Sequence, residues 1–156
     1  MAIWQVPIEL VPANWAEANN YSSELLYDEG GFDTTCAWKE NQPSQDLESV
    51  FSRILPKAES WSEDLTIYGC DKKHDINIWH EEDQIFSIGF RLDLREGVAS
   101  LMNSLVNSAI ELNCVIFIPG QHVLLKPNVF ELKQYVLKSN AARFVKDPEA
   151  FLNEIS

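Results

Sequence analysis

Arg91, Asp93 and Arg95 recur at every second position of a strand-like run, which sets three charged side chains on one face. A guanidinium can fork onto a carboxylate or a phosphate, and an Asp between two Arg stays ionised. One reading is an anion- or ligand-binding patch. The plainer and favoured one is a cross-strand salt ladder with Asp75 or another carboxylate of the neighbouring strands. The trio lacks a nucleophile and a base suited to neutral pH, so it does not make a catalytic centre. His122 falls in a separate hairpin and reads as an ordinary core or surface histidine. His80-Glu81-Glu82-Asp83 gathers metal-binding groups without the HExxH spacing. In a tight turn those carboxylates splay into water, so a solvated acidic turn is expected rather than a metal site. Glycine loops for nucleotides, a GxSxG elbow and calcium-loop Asp spacing are all absent, and no cofactor is expected.

The same acids carry a second kind of chemistry, attraction. The 156 residues have a formal net charge of -12. Residues 1–83 hold 17 Asp/Glu against 5 Lys/Arg, and residues 84–156 hold 7 against 7, so the whole excess lies in the first half. Such a field repels nucleic acid and anionic membranes, and it speeds encounter with a basic protein. Solubility alone is the blander explanation of the same charge. Glu63, Asp64, Glu81, Glu82 and Asp83 are the contact candidates for a basic partner, with Trp79 as anchor. Trp79 and Tyr68 are expected on the face of Arg91, under cover of the N-terminal segment. Trp15, Trp38 and Trp61 are expected in core or edge packing.

The elements that position these residues follow from periodicity. Trp4, Val6, Ile8 and Leu10 alternate with polar residues as a strand, and Pro7 suggests a sheet edge. Residues 12–31 are turn-rich. Phe32 to Trp38 reads as a second strand, and a helix over about 46–59 starts at a Ser44 cap, with Pro56 ending or kinking it. Leu65–Cys70, Asp75–His80 and Ile85–Arg95 form a three-stranded meander. In it Phe86, Ile88, Phe90, Leu92 and Leu94 face one way, and Ile67, Ile78 and Phe86 fall in one row. A helix over about 97–112 follows, with an uncharged polar face of Asn103, Ser104, Asn107 and Ser108. Cys114–Ile118 and His122–Leu125 make a hairpin across a Pro119-Gly120 type II turn. Helices follow over about 129–139 and 140–145, and Asp147-Pro148 opens a last one to about Ile155.

This order specifies a single α+β domain over 1–156. An antiparallel sheet of N-terminal strands, central meander and C-terminal hairpin has helices packed mainly on one face. A chain of this size builds its core without disulfides, and Cys36, Cys70 and Cys114 read as reduced, mostly buried thiols. The first residues show no basic or apolar leader pattern, no run of about 18 apolar residues occurs, and a cytoplasmic location is expected. Ser139-Asn140-Ala141-Ala142-Arg143-Phe144-Val145-Lys146-Asp147-Pro148-Glu149-Ala150-Phe151-Leu152, together with Arg91-Leu92-Asp93-Leu94-Arg95, resembles small acidic bacterial proteins of the toxin-immunity type. The resemblance extends over about the last two-thirds of the chain and carries over no binding residues. It implies a cytosolic, non-enzymatic inhibitor of one cognate toxin. The acidic half agrees with a basic toxin or effector. The alternative is a small ligand-binding or enzymatic domain using the Arg91/Asp93/Arg95 face.

Overall fold

The computed structural model describes residues 1–155. In chain order the elements open with β1 (Gln5–Pro12), α1 (Ala13–Ala18), the short hairpin β2 (Tyr27–Asp28) and β3 (Gly31–Phe32), then α2 (Thr35–Trp38) and α3 (Leu47–Phe51). The edge strand β4 (Lys57–Ala58) leads into the meander β5 (Leu65–Gly69), β6 (Asp75–Glu81) and β7 (Gln84–Asp93). After these come α4 (Ala99–Glu111), β8 (Cys114–Ile118) and β9 (Val123–Leu125), and the chain closes with α5 (Val129–Leu137), α6 (Asn140–Lys146) and α7 (Pro148–Ile155). Seven strands form one antiparallel sheet in the order β4-β5-β6-β7-β1-β8-β9.

The two faces of this sheet are unlike. On the first, Ile8, Leu10, Ile76, Ile88 and Phe90 join Phe51, Leu105 and Leu132 in the main core beneath α3, α4 and α5. Burying each such side chain stabilises the fold by roughly 1.5–3 kcal/mol. The second face is divided. Its β1–β8–β9 half is sealed by a smaller cluster of Val11, Ala16, Leu26, Val115, Phe117 and Leu124. Its β5–β6–β7 half carries polar, partly exposed side chains at Asn77, Ser87 and Arg91. No described helix is long and apolar enough to cross a membrane.

The helix caps have local causes. Asn128 accepts from the Glu131 amide at 3.0 Å, Ser139 from Ala142 at 3.1 Å and Asp147 from Ala150 at 3.1 Å, which fixes the starts of α5, α6 and α7.

Several sequence expectations are corrected. β1 is an interior strand, not an edge. Pro7 is accommodated because β8 pairs only with Glu9–Pro12, so the position opposite Arg91 has a neighbour on one side alone. Phe32–Trp38 is not a strand. Asp33 Oδ1 accepts from the Thr35 amide at 2.9 Å and turns the chain into α2. The helix over about 46–59 shrinks to α3, capped by Asp46 rather than Ser44, and beyond Pro56 the chain becomes β4. α1 arises inside the stretch read as turns. Ile67 pairs with Asn77, which in turn pairs with Gly89, whereas Ile78 pairs with Thr66 and Ile88, so the two isoleucines lie on opposite faces. A bulge at Trp79/His80 shifts the register of Phe86, whose ring lies 6.4 Å from that of Trp79. The Pro119-Gly120 turn is a single 3-10 turn closed by His122 in the left-handed region. Cys36 and Cys70 are exposed, and only Cys114 is buried, with its thiol pushed up to about 12 by that burial.

Candidate functional site

The open half of the second face holds a groove of about 450 Å³. Strand pairing builds its floor in rows. Pro7 lies opposite Arg91, and Arg91 opposite Asp75. Glu9 lies opposite Gly89, and Gly89 opposite Asn77. Ser87 lies opposite Trp79, and Trp79 opposite Leu65. Phe32, from the β2–β3 hairpin, and Trp61, from the loop before β5, stand at its sides.

Glu9 is the feature that sequence reasoning missed. It is 6% exposed, and Oε1 accepts from Ser87 Oγ at 2.8 Å. Burial raises its carboxyl to about 7, although the Ser87 hydrogen bond pulls the other way. Oε2 has no protein donor, yet no buried side-chain oxygen among the described residues lacks a partner, so Oε2 keeps contact with the groove opening. Gly89 makes the seat. A Cβ there would stand 2.0 Å from Oε2 and 3.1 Å from Cδ. The signal available in the sequence was a lone glycine on the polar side of a clean strand, which marks a close approach by another group.

Arg91 lines the same groove but is already matched. Its Nε donates to Asp75 Oδ1 at 2.7 Å, and its Nη2 pairs with Asp75 Oδ2. Asp75 is fully buried, and its hydrogen bonds hold the Arg91 guanidinium above its ordinary range. Asp93 and Arg95 are spent elsewhere. Arg95 forks onto the buried Asp93 at 2.9 and 3.0 Å, donates to the Lys72 carbonyl at 3.0 Å and lies 3.9 Å over the Trp4 ring. The Asp93 amide donates to His74 Nδ1 at 2.9 Å, and the Arg95 hydrogen bonds hold the Asp93 carboxyl below its ordinary range. The three residues therefore form two internal ion pairs, and Asp93–Arg95 ties the 71–74 turn to the N-terminal strand.

The acidic contact candidates come together. Glu63, Asp64, Glu81, Glu82 and Asp83 are all exposed. The His80 amide donates to the Asp64 carbonyl at 2.9 Å, so the 63–64 turn sits beside the 81–83 turn at one end of the sheet. His80 Nε2 lies 3.2 Å from Thr66 Oγ1, and among the described residues no group of three or more His, Cys, Asp or Glu is placed to hold a metal. Glu82 adopts φ 55°, a left-handed position at which glycine costs less by about 1 kcal/mol.

Of the tryptophans expected in core or edge packing, Trp15 packs against the smaller core as expected. Trp38 is buried, but Trp61 is 76% exposed on a loop braced by Ser60 Oγ to the Ser62 carbonyl at 2.8 Å and by the Asp64 amide to Ser62 Oγ at 3.2 Å. Trp61 meets half-buried Trp79 edge-on, with centroids 5.5 Å apart. Tyr68 is in the main core against Phe51, on the face opposite Arg91. His122 is exposed and stacks on Tyr27 at 4.2 Å, beside the sealed half of the face. A larger cavity of about 580 Å³ lies between the N-terminal residues and α6, but it contains no acid, and its Ser139 hydroxyl is used by the Val136 carbonyl and the Ala142 amide.

Comparison with protein-family models, with curated proteins and with solved structures finds no match. The site is thus defined by its own geometry: an aromatic-walled groove over a buried carboxylate, next to a cluster of exposed acids.

Proposed function

We propose that this chain is a non-enzymatic protein-binding domain, an immunity-type inhibitor that covers a basic surface of a cognate toxin or effector. The observation that carries the reading is Trp61, 76% exposed and edge-on to Trp79, at the end of the sheet where Glu63, Asp64, Glu81, Glu82 and Asp83 gather. A large aromatic at a charged rim is the composition of a binding hot spot, and the acids steer a basic partner toward it. An acid kept at the left-handed Glu82 position points the same way. In this reading nucleic acid and membranes are not partners, and the protein works in the cytoplasm.

The test is a pull-down from the source cells with tagged protein, followed by binding kinetics with the purified partner. One stoichiometric basic protein is expected. Its association rate should fall as salt rises, and it should weaken with Trp61→Ala and with Glu81→Lys/Glu82→Lys together. Association equally fast at low and high ionic strength contradicts the reading. The second reading, a small ligand-binding or enzymatic domain, is favoured by one observation, the buried Glu9 facing the groove. It now rests on Glu9, Ser87 and Arg91 rather than on Asp93 and Arg95. Clean monomeric protein that captures no partner would favour it.

A further inference from the structure

We infer that the groove over Glu9 is a cation pocket, which receives one lysine or arginine side chain of the basic partner. The inference rests on the reading above and names the specific contact within it. Glu9 is buried on strand β1, aims an unpartnered Oε2 into the groove and has its place kept open by Gly89. An acceptor in that position is completed by a donor from outside. Trp79, Trp61 and Phe32 supply aromatic walls, which favour a cationic head and an aliphatic stem together.

An anion is a poorer occupant. Among the described residues lining the groove, the only cationic side chain is that of Arg91, which is neutralised at two points by Asp75. Among the described lining residues the other charged side chain is Glu9 itself, and the Met1 side of the groove adds no further charged side chain. The surrounding field is that of a chain carrying -12. A bound guanidinium or ammonium pairs with ionised Glu9, so binding and proton release are coupled. With a carboxyl near 7 in the free protein, the ionised fraction falls about tenfold from pH 8 to pH 6, and affinity should fall with it.

The probe is a penta-arginine peptide, acetylated and amidated, titrated into the full chain. The readout is the indole N–H NMR signals of Trp61 and Trp79, assigned with Trp61→Phe and Trp79→Phe. Penta-arginine should shift both signals, about tenfold more tightly at pH 8 than at pH 6, and penta-citrulline should shift neither. Glu9→Gln should weaken binding at pH 8 by about tenfold and remove the pH dependence. Gly89→Ala, which pushes the carboxylate off its seat, is the second variant and should also weaken it. If Glu9→Gln and Gly89→Ala bind as the wild type does while Glu81→Lys/Glu82→Lys weakens binding, the cation stays on the rim. The pocket is then overturned and the inhibitor reading stands. If neither indole shifts at millimolar peptide, the pocket is also overturned, and the pull-down decides the broader reading independently.

Discussion

At the Arg95 end of the open sheet face, buried Asp93 is gripped by a guanidinium; two rows away, buried Glu9 has only the Ser87 hydroxyl. Asp75, between them, is paired with Arg91. The difference separates support from use. Arginine holds Asp93 ionised and spends it on fixing a turn. Glu9 is held close to half-protonated near neutrality, at a cost to the fold, with one oxygen left toward the groove. A matched acid stabilises, whereas an unmatched acid is available to a partner.

The largest effect should come from breaking a matched pair. Arg91→Leu strands fully buried Asp75, and urea unfolding at pH 7 should show a loss of about 3–5 kcal/mol. The unmatched acid should behave in the opposite way. Its folded carboxyl, at about 7, lies above the ordinary 4.5, so its contribution is fully kept below about 4.5 and lost as pH rises through 7. Glu9→Gln cannot ionise, and it should therefore unfold at higher urea than wild type at pH 8, by about 3 kcal/mol, with no gain at pH 4. Equal curves at both pH values would erase the distinction between the two regions.

Two smaller changes sharpen it. Gly89→Ala places a methyl where Oε2 sits and should cost about 1–2 kcal/mol, most of it recovered in a Glu9→Ala background. A double-mutant cycle by denaturation measures the coupling. Trp61→Ala removes an exposed ring and should change stability by less than about 0.5 kcal/mol, while the same variant weakens partner capture. A large stability loss there would make Trp61 a packing residue instead.

The meander, α4, the β8–β9 hairpin and the C-terminal helices were legible because their apolar residues recur at clean strand or helix spacing. Phe32–Trp38 was not, since alternation over seven residues says nothing of the Asp33 side chain that accepts from the Thr35 amide and turns the chain into α2. Pro7 misled because an interior strand can be paired on one side along part of its length. The ladder between Arg91 and Asp75 was readable from spacing alone, and the acidic turns were readable from composition. Glu9 was hidden in ordinary alternation. What makes it unusual is the second layer over β1, β8 and β9, contributed by residues 13–37, a stretch that read as turns followed by a strand. The exposure of Trp61 was equally invisible, since a tryptophan in a serine-rich loop carries no periodic signal.

The most direct measurement is a carbon-13 NMR titration of the Glu9 side-chain carboxyl in the intact chain, assigned by its absence in Glu9→Gln. A midpoint near pH 7 is expected, moving down when penta-arginine is present. A midpoint in the ordinary range near 4.5, unmoved by the peptide, would contradict the claim that this groove holds a buried acid awaiting a cation.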